Sequence, residues 1–232
     1  LEPREIAKNY PVEVGLVGDA RAVLQEIIAI VKERGGRSGR DKTTETISRM
    51  KAPYRHEMPP RQPGEIEPLW LAEELRRILP RDAILAVDTG SHAHYFAAFY
   101  PIYGPKRLLN PGSWTPMGWA PVAIIGAKLA EPETPCICVT GDGGFFMVCQ
   151  EVITAVEWQV PVVWVVFNNL ALTAIRQGQK AAYGGRIIGT EFTQRPDFAA
   201  MARAFGAAGI RVSEYAEFRP AMEEALHCGR PC

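Results

Sequence analysis

The residues best suited to chemistry in this sequence are an aspartate set between glycines and a pair of asparagines further along the chain. Asp142 interrupts an apolar run within Gly-Asp-Gly-Gly, and Asn168 and Asn169 end the next apolar run, with Asn169 lying 27 positions after Asp142. Carboxylate and amide oxygens are hard donors that suit Mg²⁺ or Ca²⁺ rather than zinc. Because Mg²⁺ usually takes only a few protein ligands, phosphate oxygens and water complete its shell. The pattern predicts a site for a divalent cation and a phosphate-bearing ligand.

The glycines after the aspartate provide the phosphate side of this predicted site. Gly143 and Gly144 stand at the start of the predicted helix that follows, and backbone N–H groups at a helix N-terminus attract anions. Glycine also lets the backbone approach a bulky diphosphate closely. In a simpler interpretation, Asp142 only caps that helix. The paired asparagines at the end of the next strand favour the metal site.

A β–α–β unit must bring these residues together. Apolar runs that end near Gly141 and Asn169 flank a helix predicted over 145–158, and the right-handed crossover of such a unit returns its second strand parallel to the first. Ligands of open α/β sheets lie beyond the C-terminal ends of the strands. Asp142 and Asn169 are therefore predicted to be neighbours in space.

Strand and helix patterns alternate from residue 66 onward. Continuous apolar runs indicate strands that are covered on both faces, and the alternation predicts an α/β fold, a parallel sheet with helices on both faces. Strands are predicted within 83–90, 136–141, 160–169 and 209–212, and helices within 67–80, 91–100, 118–130, 145–158, 198–207 and 217–228.

The first 65 residues are interpreted as a β–α unit followed by a linker. Residues 12–20 form an apolar run that predicts a strand, and 21–34 carry apolar residues at helical spacing. We interpret 1–34 as the last piece of a domain that precedes the domain at 66–232. Residues 35–65 are rich in Gly, Pro, Arg and Lys, which is typical of a linker, with a short helix predicted at 42–50. The missing initiator Met and a closing strand expected after the final helix suggest a piece of a longer protein.

The composition argues against several kinds of partner. The 232 residues are 47% hydrophobic and 22% charged with a formal net charge of zero, so no basic excess favours nucleic acid. No apolar run approaches the ~18 residues of a membrane helix, and no membrane partner is predicted. The five cysteines are an odd number, which argues against a disulfide framework. We expect buried thiols in a reducing cytoplasm rather than a metal site at Cys136 and Cys138.

The segment from Gly141 to Asn169 resembles the signature of thiamine-diphosphate-dependent enzymes. That signature is Gly-Asp-Gly followed some two dozen residues later by Asn-Asn, and here 24 residues separate Gly143 from Asn168. Further stretches are similar to the segments of that family around the thiazolium ring and the diphosphate, and to its acetolactate synthase branch: 111–130, 87–100, 168–179 and 196–212. The resemblance implies the thiamine-diphosphate-binding fold for residues 66–232. Residues 12–27 resemble the end of the family's central domain, which implies that 1–34 are the C-terminal end of a central α/β domain.

The resemblance also implies a role for individual residues. Asp142 and Asn169 would bind Mg²⁺ together with the backbone carbonyl of Ala171. The diphosphate of the thiamine diphosphate would be contacted by four residues: Ser91, His92, Gly143 and Gly144. Met117 would lie under the cofactor and hold its two rings in a V, and the Thr115 carbonyl would accept a hydrogen bond from the aminopyrimidine amine. From pattern alone, His92 is equally a turn histidine and Met117 a core residue.

The activity implied is that of a thiamine-diphosphate- and Mg²⁺-dependent 2-oxo acid decarboxylase or carboligase, similar to acetolactate synthase, with a small-molecule 2-oxo acid as substrate. Gly178 stands where acetolactate synthases usually carry tryptophan, which leaves the acceptor substrate open. The alternatives are a sulfoacetaldehyde acetyltransferase-like enzyme and a non-catalytic diphosphate-binding module. A nicotinamide-binding domain is disfavoured, because no G-x-G-x-x-G follows the first strand.

The same family takes its catalytic glutamate from an N-terminal domain, usually of a neighbouring subunit. No catalytic acid or base is therefore assigned within these 232 residues, and we expect this segment alone to turn over no substrate. A homodimer or homotetramer with the active site between subunits is implied, located in the cytoplasm.

Overall fold

The computed structural model describes residues 2–35, 40–52 and 66–232. The chain divides into two compact units, 1–59 and 60–232.

The smaller unit contains a 3₁₀ turn at Pro3–Glu5 and two helices, α1 at Ala20–Glu33 and α2 at Arg40–Lys51. The helix predicted at 21–34 is confirmed by α1, which begins after Asp19, whose carboxylate accepts a hydrogen bond from the Ala22 N–H at 3.0 Å. The short helix predicted at 42–50 lies within α2, whereas much of the predicted linker lies outside the described residues.

The strand predicted within 12–20 is wrong, because the described residues of that segment form no strand before α1 begins. A strand is stabilised by pairing with a neighbour, and no described residue of the smaller unit pairs with this run. The interpretation of 1–34 as the end of a central domain stays a prediction.

The larger unit is built on a parallel sheet. Its strands are β1 at Ile84–Val87, β2 at Leu108–Leu109, β3 at Cys136–Gly141 and β4 at Val163–Phe167, in the spatial order β2-β1-β3-β4. Its helices are α3 at Pro68–Ile78, α4 at His92–Phe99, α5 at Trp119–Ala130, α6 at Asp142–Val148, α7 at Glu151–Glu157, α8 at Thr173–Ala182, α9 at Phe198–Ala204 and α10 at Tyr215–His227. These four strands pair only in parallel, which confirms the predicted α/β sheet.

Helices cover both faces of this sheet, as predicted. Successive strand residues point to opposite faces, so each strand contributes to two cores. One core joins alternate residues of β1 and β3 to α3 and α10: Leu85, Val87, Ile137 and Val139 with Leu71, Leu75, Phe218 and Met222. The other joins the remaining strand residues to α5 and α7: Ile84, Ala86, Cys136 and Cys138 with Ala120, Ile124 and Ala155.

The helix predicted at 145–158 is two short helices instead. Residues 149 and 150 keep helical backbone angles, but the chain tightens there, because the Val152 and Ile153 N–H groups donate to the carbonyls of Cys149 and Gln150, three residues back. Such i→i+3 bonds belong to a 3₁₀ turn. Apolar side chains of this segment still pack in the core through Phe145 and Val152, although Ile153 is 49% exposed.

The strand predicted at 209–212 is also wrong. The place beside the start of β4 is taken by Cys232, whose carbonyl accepts from the Trp164 N–H at 2.8 Å and whose N–H donates to the Val162 carbonyl at 3.0 Å. Ala208 pairs with this end of the chain instead, donating its N–H to the Pro231 carbonyl at 2.7 Å. Residues 209–212 therefore run as irregular chain, and the expected closing strand stays a prediction.

Candidate functional site

The tip of β3 and the loop after β4 are in direct contact, as the sequence predicted. Asp142 is 2% exposed, and its Oδ2 accepts a hydrogen bond from the Leu170 N–H at 2.7 Å, while its Oδ1 accepts from the Gly143 N–H at 2.7 Å. Since each carboxylate oxygen can accept two hydrogen bonds, both oxygens keep acceptor capacity. The carboxylate thus lies next to the loop that carries Asn169.

The loop after β4 is held on its other side by a returning segment. Leu170 has a left-handed backbone with φ 60°, its carbonyl accepts from the Phe192 N–H at 2.8 Å, and Ala171 pairs with Glu191 in an isolated antiparallel bridge. The Asn169 side-chain amide donates to the Thr173 hydroxyl at 2.8 Å, which leaves its oxygen as a free acceptor group for a cation. The Asp142 carboxylate, the Asn169 side-chain oxygen and the Ala171 carbonyl are hard oxygen atoms of the kind that Mg²⁺ prefers.

The two glycines after Asp142 are required by different neighbours. A Cβ at Gly143 would collide with the Leu172 side chain and come within 3.2 Å of Met117 Cε, so the absence of a side chain at this position makes room for Leu172 and Met117. A Cβ at Gly144 would collide with the Asp88 carboxylate. The glycine at 144 is therefore explained by packing inside the domain.

His92 opens α4 and lies against the end of the sheet. It is 5% exposed, stacks on Phe167 with ring centroids 5.8 Å apart, and its Nε2 is buried without a hydrogen-bond partner among the described residues. Burial lowers the pKa of His92 to about 4, although the nearby Asp88 carboxylate opposes the shift. Its imidazole is therefore neutral near pH 7. A buried polar atom without a partner is uncommon, and a ligand oxygen could satisfy this one.

The segment before α5 carries Thr115 and Met117. The Thr115 carbonyl accepts a hydrogen bond from the Thr89 hydroxyl at 2.8 Å, and Thr115 has φ 41°. Met117 is half-buried beside Gly143. The carbonyl that the resemblance assigns to the aminopyrimidine is thus engaged by Thr89, with a second lone pair remaining.

A cavity of about 730 Å³ begins at the C-terminal ends of β3 and β4 and continues along β4 toward α9 and α10. It is lined by most of the predicted site residues: Ser91, His92, Met117, Asp142, Gly143, Gly144, Asn169 and Ala171. Thr115 lies outside this lining and is exposed. The volume of this cavity falls in the range of pockets that hold small molecules and cofactors.

Asp88 and Thr89, directly after β1, also support this site. Neither was predicted from the sequence. Asp88 is fully buried and accepts hydrogen bonds from the N–H groups of Gly118 and Ala120 and from the Thr140 hydroxyl, at 2.8, 3.2 and 3.1 Å. The available signal was a carboxylate directly after a buried strand, the same signal that identified Asp142.

Gly178, the position of the expected tryptophan, lies within α8, and a Cβ there would meet no atom within 4 Å. The space around this position is open, which is compatible with a wide acceptor side. The identity of the acceptor stays a prediction.

The five cysteines are free thiols. Cys136 and Cys138 face the same side of the sheet, as predicted, and both are buried. Burial raises the pKa of Cys136 to about 11 and that of Cys138 well above its ordinary value. Within residues 2–35, 40–52 and 66–232, no three His, Cys, Asp or Glu side chains are grouped to hold a metal, and every described cysteine is free. None of the described helices is long and apolar enough to span a membrane.

The residues present fit a metal-bound diphosphate cofactor. The Asp142 carboxylate lies against the loop that carries Asn169 and Ala171, the Gly143 backbone carries no side chain, and the buried His92 Nε2 lacks a partner among the described residues. These features lie along one cavity and at the edge of the sheet where α/β folds bind ligands.

Comparison with known proteins agrees with this geometry. The acetolactate synthase large subunit of Haemophilus influenzae is 35% identical over 97% of this chain and 40% of its own length, and the isozyme 3 large subunit of Escherichia coli is 32% identical over 97% and 40%. This chain therefore spans about two fifths of the length of these relatives. The thiamine diphosphate-dependent 4-hydroxybenzoylformate decarboxylase of Rhodococcus jostii RHA1 superposes with a TM-score of 0.69 at 26% identity, over 75% of this chain and 33% of that one.

Residues 88–232, more than half of the chain, match the family described as thiamine pyrophosphate enzyme, C-terminal TPP binding domain. The match begins at Asp88 and includes Asp142, Asn169 and the glycines between them. The four-stranded parallel sheet with helices on both faces is the fold of this domain. The predicted thiamine-diphosphate resemblance is confirmed, and the chain belongs to the thiamine pyrophosphate enzyme family through its C-terminal cofactor-binding domain.

Proposed function

We propose that this domain binds thiamine diphosphate through Mg²⁺ held by the Asp142 carboxylate, the Asn169 side-chain oxygen and the Ala171 carbonyl. The observation that carries the proposal is the 2.7 Å hydrogen bond from the Leu170 N–H to Asp142 Oδ2, which joins the tip of β3 to the loop after β4. A cation between these two tips would receive ligands from both and present its free positions to phosphate oxygens.

The remaining predicted residues divide between the two ends of the cofactor. Ser91, His92, Gly143 and Gly144 would bind the diphosphate end. The neutral imidazole of His92 can donate one N–H to a phosphate oxygen. Met117 and the Thr115 carbonyl would position the ring end, Met117 as an adaptable apolar contact beneath the rings.

We further propose that the protein is a 2-oxo acid decarboxylase or carboligase similar to acetolactate synthase. Bound thiamine diphosphate supplies the electron sink that such chemistry at a carbonyl carbon requires. The residues of this chain bind the cofactor, orient its rings and keep water from the cavity. The proposal is supported by relatives at 32–35% identity that carry the acetolactate synthase name.

In this proposal, the catalytic glutamate is supplied by a domain that is not part of these 232 residues. It places the active site between subunits of a homodimer or homotetramer in the cytoplasm, with a small 2-oxo acid as substrate. The activity is tested by release of CO₂ from a panel of 2-oxo acids, with and without added thiamine diphosphate and Mg²⁺, using a protein that also contains the domain with the catalytic glutamate. The 232-residue chain alone is expected to release none.

The cofactor site is tested by calorimetric titration of the full chain with thiamine diphosphate, with and without Mg²⁺. We expect saturable binding that requires Mg²⁺ and that Asp142→Ala weakens by roughly 10- to 100-fold or more, since removal of even a supporting partner of a metal ligand has effects of that size. Asp82→Ala, which removes an exposed aspartate before β1, is the matched control and should bind like the wild type. Unchanged binding by Asp142→Ala would contradict the metal assignment, and absence of wild-type binding would contradict the proposal as a whole.

A further inference from the structure

The segment that carries Thr115 and Met117 has an unusual backbone. Thr115 has φ 41° and Gly118 has φ 82°, so left-handed residues stand on both sides of Met117. Residues with a Cβ rarely adopt this region, and such conformations persist where the surrounding structure holds them in place. The conformation of this segment therefore needs an explanation in its contacts.

Two consecutive residues at the end of β1 hold the segment at both of these positions. The Thr89 hydroxyl donates to the Thr115 carbonyl at 2.8 Å. Asp88 Oδ2 accepts from the Gly118 N–H at 2.8 Å, and Oδ1 accepts from the Ala120 N–H at 3.2 Å. The Asp88 carboxylate thus caps the start of α5 from a distant strand, because the capping position itself is Gly118, which has no side chain.

The same carboxylate connects this segment to the strand that ends in Asp142. Asp88 Oδ2 accepts from the Thr140 hydroxyl at 3.1 Å, and the absence of a side chain at Gly144 leaves room for this carboxylate. Asp88 is fully buried, and its hydrogen bonds come from backbone N–H groups and a hydroxyl. It therefore lies between the predicted ring end and the predicted phosphate end of the site.

We propose that Asp88 and Thr89 are positioning residues that preform the segment 115–120 for the ring end of thiamine diphosphate. The inference rests on the proposed function, and it adds two residues to which no role in binding was assigned. A preformed site binds more tightly because less ordering is required on binding. The pair should therefore matter for a ligand that carries the rings and much less for a ligand that carries only phosphates.

Thr89→Val tests this with little change of shape, because valine replaces only the hydroxyl by a methyl group. We expect the dissociation constant of thiamine diphosphate to rise roughly three- to tenfold, the range of one hydrogen bond, while that of Mg²⁺-pyrophosphate changes less than about twofold. Thr89→Ser keeps the hydroxyl and should restore wild-type binding. Thr154→Val removes an exposed hydroxyl that donates to Glu151 on α7 and is the matched control.

A second measurement does not depend on any ligand. Amide hydrogen exchange in the ligand-free chain should be faster across 115–120 in Thr89→Val than in the wild type, and near wild type in Thr89→Ser and Thr154→Val. Asp88→Asn, in which an amide group replaces one acceptor oxygen, should accelerate exchange at Gly118 and Ala120 and weaken thiamine diphosphate binding more than Thr89→Val does.

Three outcomes would overturn the inference. Thr89→Val could bind thiamine diphosphate like the wild type, it could weaken both ligands equally, or exchange across 115–120 could remain unchanged. A wild-type chain that binds neither ligand contradicts the proposed function instead, and the exchange measurement still decides whether Thr89 holds the segment.

Discussion

Helices α1 and α3 have similar amphipathic sequences and opposite surroundings. α3 packs on the sheet and against α10, and it buries residues on more than one side: Leu69, Trp70, Leu71, Ala72, Glu74 and Leu75. α1 buries no residue, and its apolar side chains are exposed, for example Leu24 at 56% and Ile28 at 51%. The comparison shows that apolar spacing predicts a helix and its apolar face, whereas burial requires a partner surface.

The apolar runs at 12–18 and 84–87 differ in the same way. Both precede a helix, but only 84–87 forms a strand, β1, which is paired on both sides by β2 and β3. The run at 12–18 has no described neighbour with which to pair. The following predictions test how far this contrast between the two units extends.

The largest expected difference in the free energy of unfolding is between two variants, Leu75→Ala in α3 and Leu24→Ala in α1. Leu75 is fully buried, so its truncation leaves a cavity and should lower the free energy of unfolding by about 2–5 kcal/mol. Leu24 is 56% exposed, and its truncation should change the free energy by less than about 0.5 kcal/mol. Urea denaturation followed by circular dichroism measures both. A comparable loss for Leu24→Ala would mean that α1 buries this face in solution.

The next largest expected difference is in the pH dependence of unfolding. The larger unit has a buried histidine, His92, whereas no described side chain of the smaller unit is buried. Burial lowers the pKa of His92 to about 4 in the folded state, and the unfolded chain has the ordinary value of about 6.5. The unfolded chain therefore binds the proton more readily between these values, so the free energy of unfolding should fall by about 3 kcal/mol as the pH drops from 6.5 to 4.

His92→Gln removes this proton-binding difference. Urea denaturation between pH 4.5 and 7 should show a shallower pH dependence for the variant than for the wild type. Parallel curves for the two proteins would show that His92 titrates as an exposed histidine does.

The smallest expected change in the free energy of unfolding comes from breaking ion pairs, and it should differ between the two units. Glu74 of α3 is 10% exposed and contacts Arg219 at 2.6 Å and Arg77 at 3.3 Å, and it accepts from the Tyr215 hydroxyl. Burial alone would raise the pKa of Glu74, but the hydrogen bonds and charge of its partners, Arg219 first, lower it below the ordinary value. Its stabilising contribution is thus present above the unfolded pKa and is lost as the pH falls through the lower folded pKa.

At pH 7, Glu74→Gln should lower the free energy of unfolding by about 1–2 kcal/mol, as measured by urea denaturation. The matched control is Glu5→Gln, which breaks the pair with Lys8, where both side chains are more than half exposed. Exposed pairs contribute little, so this variant should unfold like the wild type. If both variants lost the same free energy of unfolding, the contrast between the units would be contradicted.

Much of the sheet, and the contact between Asp142 and the loop after β4, could be predicted from sequence, because both follow from local patterns. Apolar runs and helical spacing identified β1, β3 and β4, and the geometry of a β–α–β unit predicted that Asp142 lies beside the loop of Asn169. β2 was not predicted, because its two residues are too few to form a pattern.

Other features depend on contacts between distant parts of the chain. Asp88 accepts hydrogen bonds from the N–H groups of Gly118 and Ala120, some 30 positions away. No local sequence pattern predicts such a contact. The run at 209–212 has the composition of a strand but no place beside β4, because Cys232 occupies its start. The sequence contained the residues for these features, and only the assembled fold determines their partners.

The buried thiol of Cys138 gives this molecule an internal reporter. It lies in β3, between β1 and β4, and a thiol with a raised pKa at that depth is protected from alkylating reagents while the strands stay paired. Labelling of Cys138 therefore requires the centre of the sheet to open. Its labelling rate, followed by mass spectrometry on the unaltered chain, measures how often the domain separates its strands under native conditions.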